Sequence, residues 1–230
     1  MRACRDNVRE TDGNDERIRG SDAPMATAQT DTGRSNQKKR TRTAIVEAAR
    51  GLIGTGSEVT MPEIARVALV SEATAYRYFP DLPSLIGEAL AGVWPDPVDA
   101  LGPVADSRDP VERIAFACEF LLRGTLARQG GVRAMMAATI VRPDTANMRP
   151  GIRFGLIDLA LAPLAGTLGE TDPDAFTQLK RGLAVVMAAD ALFTLTDQCG
   201  LTPDEAIASA VRTAKTLTEA AVRTATEAAG

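Results

Sequence analysis

Between Thr60 and Leu85 the chain reads TMPEIARVALVSEATAYRYFPDLPSL, with Thr74, Tyr76, Arg77 and Tyr78 crowded into one short stretch. These residue types suit recognition more than bond breaking. An Arg guanidinium can offer two donors to a guanine edge, and an Ala or Thr methyl can touch a thymine methyl. Tyr and Thr hydroxyls suit phosphate oxygens, which set register rather than sequence choice. Aromatic residues make up only 4% of the chain, yet Tyr76, Tyr78 and Phe79 fall together here. That concentration beside an Arg marks a docking surface. The competing reading is packing: Phe79 as core, and Tyr76 and Tyr78 with the ring packed and the hydroxyl outward.

Catalytic chemistry finds little support. The chain has no histidine, which removes the commonest general base and metal ligand. Cys4, Cys118 and Cys199 are isolated, an odd count without CxxC spacing. This argues against a disulfide framework and a zinc site. Asp158, Asp190 and Asp197 have no base nearby in sequence. No cofactor, metal or turnover is expected. With 230 residues, 45% hydrophobic and 24% charged, the composition is that of an ordinary globular protein. No apolar run approaches the roughly 18 residues of a membrane span, and the opening MRACRDNVRETDGNDERIRG has no apolar core of a secretory signal. A cytoplasmic protein without a membrane partner is the expectation.

Charge is distributed unevenly. Residues 1–33 carry 5 basic and 7 acidic side chains, residues 34–90 carry 8 and 6, and residues 91–230 carry 13 and 17. Only the middle segment is positive, and Arg34, Lys38, Lys39, Arg40 and Arg42 come with no acid among them. A local positive charge on an acidic protein suits a polyanion touched by one end. A solvated tail is the alternative.

The elements that must position these residues are all helical. Residues 1–33 are polar and aperiodic, and a disordered arm is expected there; Met25 is a plausible alternative start. From Lys38, apolar Ile45, Ala48, Ala49, Leu52 and Ile53 repeat at three- and four-residue spacing. Thr60, Pro62 and Glu63 form a capping-box start for a second helix to about Ala68. Ser71 caps a third, ending at Phe79-Pro80, and Asp81-Leu-Pro83 opens a fourth to Trp94. The Pro-rich stretch 95–110 is the candidate domain boundary. Beyond it helices are expected from Asp109 to Arg128, broken by Gly130-Gly131, from Val132 to Val141, and from Pro150 to Leu168 with a kink at Pro163. Two long ones follow, from Asp172 to Cys199 and from a Thr202–Glu205 capping box to about Glu227. No segment alternates with period two. The expectation is an all-α fold of about nine helices.

Helix, tight turn, helix, preceded by a basic segment, is the arrangement of a helix-turn-helix. Ile64, Ala65, Val70, Ala75 and Phe79 would face inward, leaving Glu72, Ala73, Thr74 and Arg77 outward. At this point Val70-Ser-Glu-Ala-Thr-Ala-Tyr-Arg-Tyr-Phe-Pro80, with Ile64-Ala65 before it and Leu85 after, resembles the DNA-binding domain of TetR/AcrR-family transcriptional regulators. The resemblance covers about residues 38–90 by motif, and the remainder by architecture. It implies that Thr60 and Arg42 contact phosphates, with Lys39 in the same basic segment. It implies further that Glu72, Ala73, Thr74 and Arg77 face bases, and that Tyr76 and Tyr78 grip the backbone. The chain departs from the family pattern at three places. Leu69 stands where the turn usually holds Gly, so the turn must accept a Cβ. Leu82 stands where a Lys usually meets phosphate, which removes about one unit of salt slope. Ala75 replaces a larger apolar residue.

The resemblance assigns residues 34–94 to DNA binding and 95–230 to ligand binding and dimerisation. The implied protein is a homodimeric repressor that binds a palindromic operator on double-stranded DNA and leaves it when a small apolar or amphipathic ligand binds. Small residues support pairing of two copies: Gly182, Ala184, Ala188, Ala189 and Ala191, then Ala206, Ala210, Ala214, Ala221 and Ala225. Packing within one chain is the alternative. Trp94, Phe116, Phe120, Met135, Met136, Phe154, Met187 and Phe193 could converge on a pocket, with Arg142 or Asp158 orienting a polar group; each would serve equally as plain core. Control by abundance or a protein partner, without a ligand, is the second reading. An enzyme on an all-α scaffold and a purely structural dimer stand behind it.

Overall fold

Helix follows helix along the whole of the computed structural model, which describes residues 28–56, 58–141 and 151–229. Thirteen α-helices, one 3-10 turn and one π turn occur among the described residues, and no strand. The all-α expectation holds, with more and shorter helices than nine. The chain divides into two units, Met1–Lys39 and Arg40–Gly230. In the first, the described residues are helical from Ala28, so the helix starts ten residues before the sequence pattern suggests. Residues 35–39, Lys39 among them, are exposed.

The second unit holds two apolar cores. One is built by α1 (Ala28–Gly54, from Arg40 on), α2 (Met61–Val67), α3 (Glu72–Tyr78) and α4 (Leu82–Leu90). Ile45, Ala49, Ile64, Ala75, Phe79, Leu85, Ile86 and Ala89 fill it. Met135, from α7 (Gln129–Val141), joins them. The sequence dictates each boundary here. Thr60, Ser71 and Asp81 are N-caps whose side chains accept from the backbone N–H groups of Glu63, Thr74 and Ser84, relieving donors that a helix leaves unpaired. α4 stops at Leu90 rather than Trp94 because Gly92 turns left-handed, φ 71°.

The other core lies between α6 (Pro110–Ala127), α8 (Ile152–Ala160), α11 (Pro173–Val186) and α13 (Pro203–Ala229). Ile114, Cys118, Leu122, Leu156, Ile157, Leu183 and Ile207 are its centre. Burial pushes the Cys118 thiol up to about 12, so it behaves as a small apolar filler. The junction between the cores carries the short α5 (Pro97–Ala100) and the 3-10 turn Gly102–Val104. As expected, Pro163 falls where the helix divides, into α8 and α9 (Ala162–Ala165), and α10 (Leu168–Thr171) follows.

Two further expectations fail. Gly130 and Gly131 do not break the chain; they lie buried in the first turn of α7, and the break is at Arg128. A Cβ on Gly131 would stand 2.7 Å from the Ile53 side chain, so that glycine permits close approach of α7 to α1. The long helix expected to Cys199 ends at Val186. Ala188 is extended, α12 (Ala189–Phe193) follows, and a π turn runs over Thr194–Gln198. No Gly or Pro marks that break.

Candidate nucleic-acid interface and cavity

α2 and α3 are joined by Ala68-Leu69-Val70. Val70 N–H returns to the Ala65 carbonyl at 3.0 Å, and Leu69 N–H to that of Arg66 at 3.3 Å. Closing so tight a turn puts Leu69 at φ 55°, the one non-glycine residue with positive φ among the described residues. Its side chain is 92% exposed. The Cβ that the sequence requires this turn to accept is therefore held in the left-handed region, a conformation disfavoured by about 1–2 kcal/mol.

Beyond the turn, Ser71 fixes the start of α3. Its Oγ accepts from Thr74 N–H at 3.1 Å and donates to Thr74 Oγ1 at 2.9 Å. Ala75 and Phe79 are buried, and Thr74 and Tyr78 half-buried. Glu72, Ala73, Tyr76 and Arg77 are exposed, and their spacing places them on one face. Tyr76 thus shares the outward face with the proposed base readers, whereas Tyr78 packs its ring against the core and under Arg77, whose guanidinium carbon is 5.7 Å from the ring centroid. Thr74 sits at the edge, engaged with the cap.

Thr60 is half-buried and caps α2, accepting from Glu63 N–H at 3.4 Å. Only half of the expected capping box forms. The Glu63 carboxylate turns instead to Arg66, at 2.5 and 3.1 Å, whose hydrogen bond holds the carboxyl below its ordinary range. At Thr202 the box is complete: Glu205 accepts from Thr202 N–H at 2.9 Å and from its hydroxyl at 2.7 Å. Leu82 packs on the first core, which explains an apolar residue at the start of α4. Arg42 is engaged within the protein, with Glu88, the Tyr78 carbonyl and the Phe79 ring.

A cavity of about 100 Å³ lies between the two cores, lined by Leu90, Trp94, Leu121, Met135, Met136 and Met187 with Arg153 and Asp190 at its polar side. It gathers four of the residues singled out for a pocket: Trp94, Met135, Met136 and Met187. The Trp94 ring rests where a Cβ on Gly124 would be 2.5 Å away. The other candidates are placed elsewhere. Phe116 and Phe120 stack, centroids 6.5 Å apart. Phe154 is exposed, and Asp158 pairs with Lys180 at 2.7 Å. Phe193 carries Arg133 over its ring at 3.8 Å. Arg142 lies outside the described residues.

Sequence reasoning missed two arginines. Arg113 is 8% exposed and donates to five backbone carbonyls. Nη1 reaches Val104, Ala105 and Ser107, Nη2 reaches Leu159, and Nε reaches Ala160, at 2.8–3.3 Å. Arg133 binds Asp197 through two bonds of 2.6 and 2.8 Å. This pairing, with help from the Thr196 hydroxyl, lowers the Asp197 carboxyl to about 2. Asp197 lies 64 residues from Arg133, and the carbonyls around Arg113 come from two separate segments, so no local pattern announces either site. Among the small residues proposed for an interface, Ala206, Ala210 and Ala214 are buried in the chain's own second core, and Ala188 is buried as well. That part of the stripe packs within one chain.

The chain is similar to a curated transcriptional repressor. That relative is the HTH-type transcriptional repressor KstR of Rhodococcus jostii (strain RHA1), 32% identical over 128 residues. The match covers 53% of this chain and 60% of the relative, less than two thirds of its length. No family profile matches the chain, and no solved structure matches it. No described helix is long and apolar enough to cross a membrane.

Proposed function

We propose that this protein is a TetR-like transcriptional regulator, a repressor acting as a homodimer on a palindromic operator. The observation that carries the reading is the outward face of α3, Glu72, Ala73, Tyr76 and Arg77, on a helix anchored from behind by Ala75 and Phe79. A short, firmly seated helix with a free polar face is what major-groove readout requires. Similarity to a helix-turn-helix repressor supports it. On this reading residues 34–94 bind DNA, with Lys39 and Thr60 toward phosphates, and residues 95–230 pair two copies and house the effector. Two copies are needed to place recognition helices about 34 Å apart on successive major grooves.

The reading includes release by a small apolar or amphipathic ligand at the cavity of Trp94, Met135, Met136 and Met187. One observation favours the second reading, control by a protein partner or by abundance. The cavity, at about 100 Å³, falls short of the roughly 300–1,000 Å³ of ligand pockets, so a ligand must open it. The experiment is recovery of genomic fragments by the purified protein, followed by mobility shifts with the recovered duplex. Arg77→Ala is expected to weaken binding by about ten-fold and relax the preference at one base pair. Unchanged affinity and unchanged preference remove Arg77 from base readout.

A further inference from the structure

Arg42 is the residue that the family resemblance sends to a DNA phosphate, yet its side chain is occupied. Nη2 is paired with the Glu88 carboxylate of α4. Nη1 donates to the carbonyl of Tyr78, the last residue of α3, at 3.3 Å. The guanidinium carbon stands 4.3 Å from the centroid of the Phe79 ring, which itself is 2% exposed. One planar cation therefore joins three helices: it grows from α1, takes a carbonyl that the end of α3 leaves without a helical partner, and is tied to α4. Two turns on, Arg50 Nε donates to the Ala89 carbonyl at 3.1 Å. This second arginine brackets α1 on α4 but does not reach α3.

We infer that Arg42 and Glu88 form a latch that fixes the C-terminal end of the recognition helix, and that Glu88 is a positioning residue for DNA binding. This deepens the DNA-binding reading and rests on it. The latch accounts for the chemistry of each partner. A guanidinium can stack on Phe79 and donate in two directions at once, which an ammonium cannot do. A carboxylate at Glu88 neutralises the charge that a phosphate would otherwise attract. Arg42 then contributes through the orientation of α3, and counterion release is not its role.

The test is a cycle of Arg42→Gln, Glu88→Gln and the double variant, with Arg42→Lys as the conservative control. The probe is the duplex recovered with the wild-type protein, and affinity is measured across a series of NaCl concentrations, alongside urea unfolding of each variant. A latch weakens operator binding by roughly three- to tenfold in each single variant. The double variant loses no more than the worse single one, the salt slope stays at the wild-type value throughout, and Lys fails to restore binding. A phosphate contact gives the opposite pattern and overturns the inference. Arg42→Gln then lowers the slope by about one unit, Glu88→Gln tightens binding, and Arg42→Lys restores affinity. If the wild-type protein recovers no duplex, the DNA-binding reading fails, and the latch is judged by unfolding alone. Coupled losses in the cycle uphold it, and additive losses overturn it.

Discussion

Replacing Leu69 with Gly should make the protein more stable. Leu69 is held at φ 55° by the tight closure between α2 and α3, where its Cβ meets the adjoining carbonyl, a cost of about 1–2 kcal/mol. Glycine removes that cost but gains freedom in the unfolded chain, about 0.5–1 kcal/mol. Nothing else enters, because the side chain is 92% exposed and buries almost no surface. The net gain lies between about 0 and 1.5 kcal/mol, with its centre at about 0.7 kcal/mol. Leu69→Ala is the control: it keeps the Cβ and the strain, and should stay within about 0.5 kcal/mol of the parent. Urea unfolding followed by circular dichroism gives both values, the midpoint rising for Gly with an unchanged slope. In a domain of this size the gain moves the melting temperature by about 2 °C. A Gly variant less stable than the Ala variant, the usual result for an unstrained loop, would refute the reasoning.

Three further outcomes follow from the geometry. Arg113→Met leaves five backbone carbonyls without their shared donor and should destabilise the fold by about 3–4 kcal/mol in urea, while Arg113→Lys recovers only part of the loss. The Asp197 carboxyl, held at about 2 by Arg133, lies below its unfolded value, so its contribution is present above about pH 4 and is lost as pH falls toward 2. Acid unfolding of Asp197→Asn should lack that component, and an identical pH profile would dismiss it. Gly124→Ala places a Cβ 2.5 Å from the Trp94 ring and should cost about 1–3 kcal/mol by overpacking.

The helix-turn-helix was legible because its signals are local. Thr60, Ser71 and Asp81 stand where a cap must be, and Pro62, Pro80 and Pro83 enforce the boundaries. The apolar spacing of Ile64, Ala65 and Ala75 told which side faces inward, and Leu69 was visible as a Cβ in a turn that prefers none. What stayed hidden depends on distant partners. Arg113 reads as an ordinary helical arginine until the Leu159 and Ala160 carbonyls come to it. Gly130 and Gly131 read as a breaker, and only Ile53 reveals that Gly131 serves close packing. The pause at Ala188 has no breaker residue at all, so periodicity ran straight through it. The cavity gathered Met135, Met136 and Met187 but not Phe116 or Phe193, because residue type predicts an apolar environment and not which apolar space.

Trp94 is the single tryptophan of the chain. Its indole lies against Gly124, edge-on to Phe120 at 6.4 Å, with the Arg128 guanidinium 5.1 Å from the ring centroid and the cavity on its remaining side. All intrinsic emission excited in the indole band therefore originates at the seam between the two cores. A molecule entering the cavity, or a separation of the seam, alters the wavelength and quenching of that one emitter. The chain carries its own optical reporter of this cavity, and a titration needs no label.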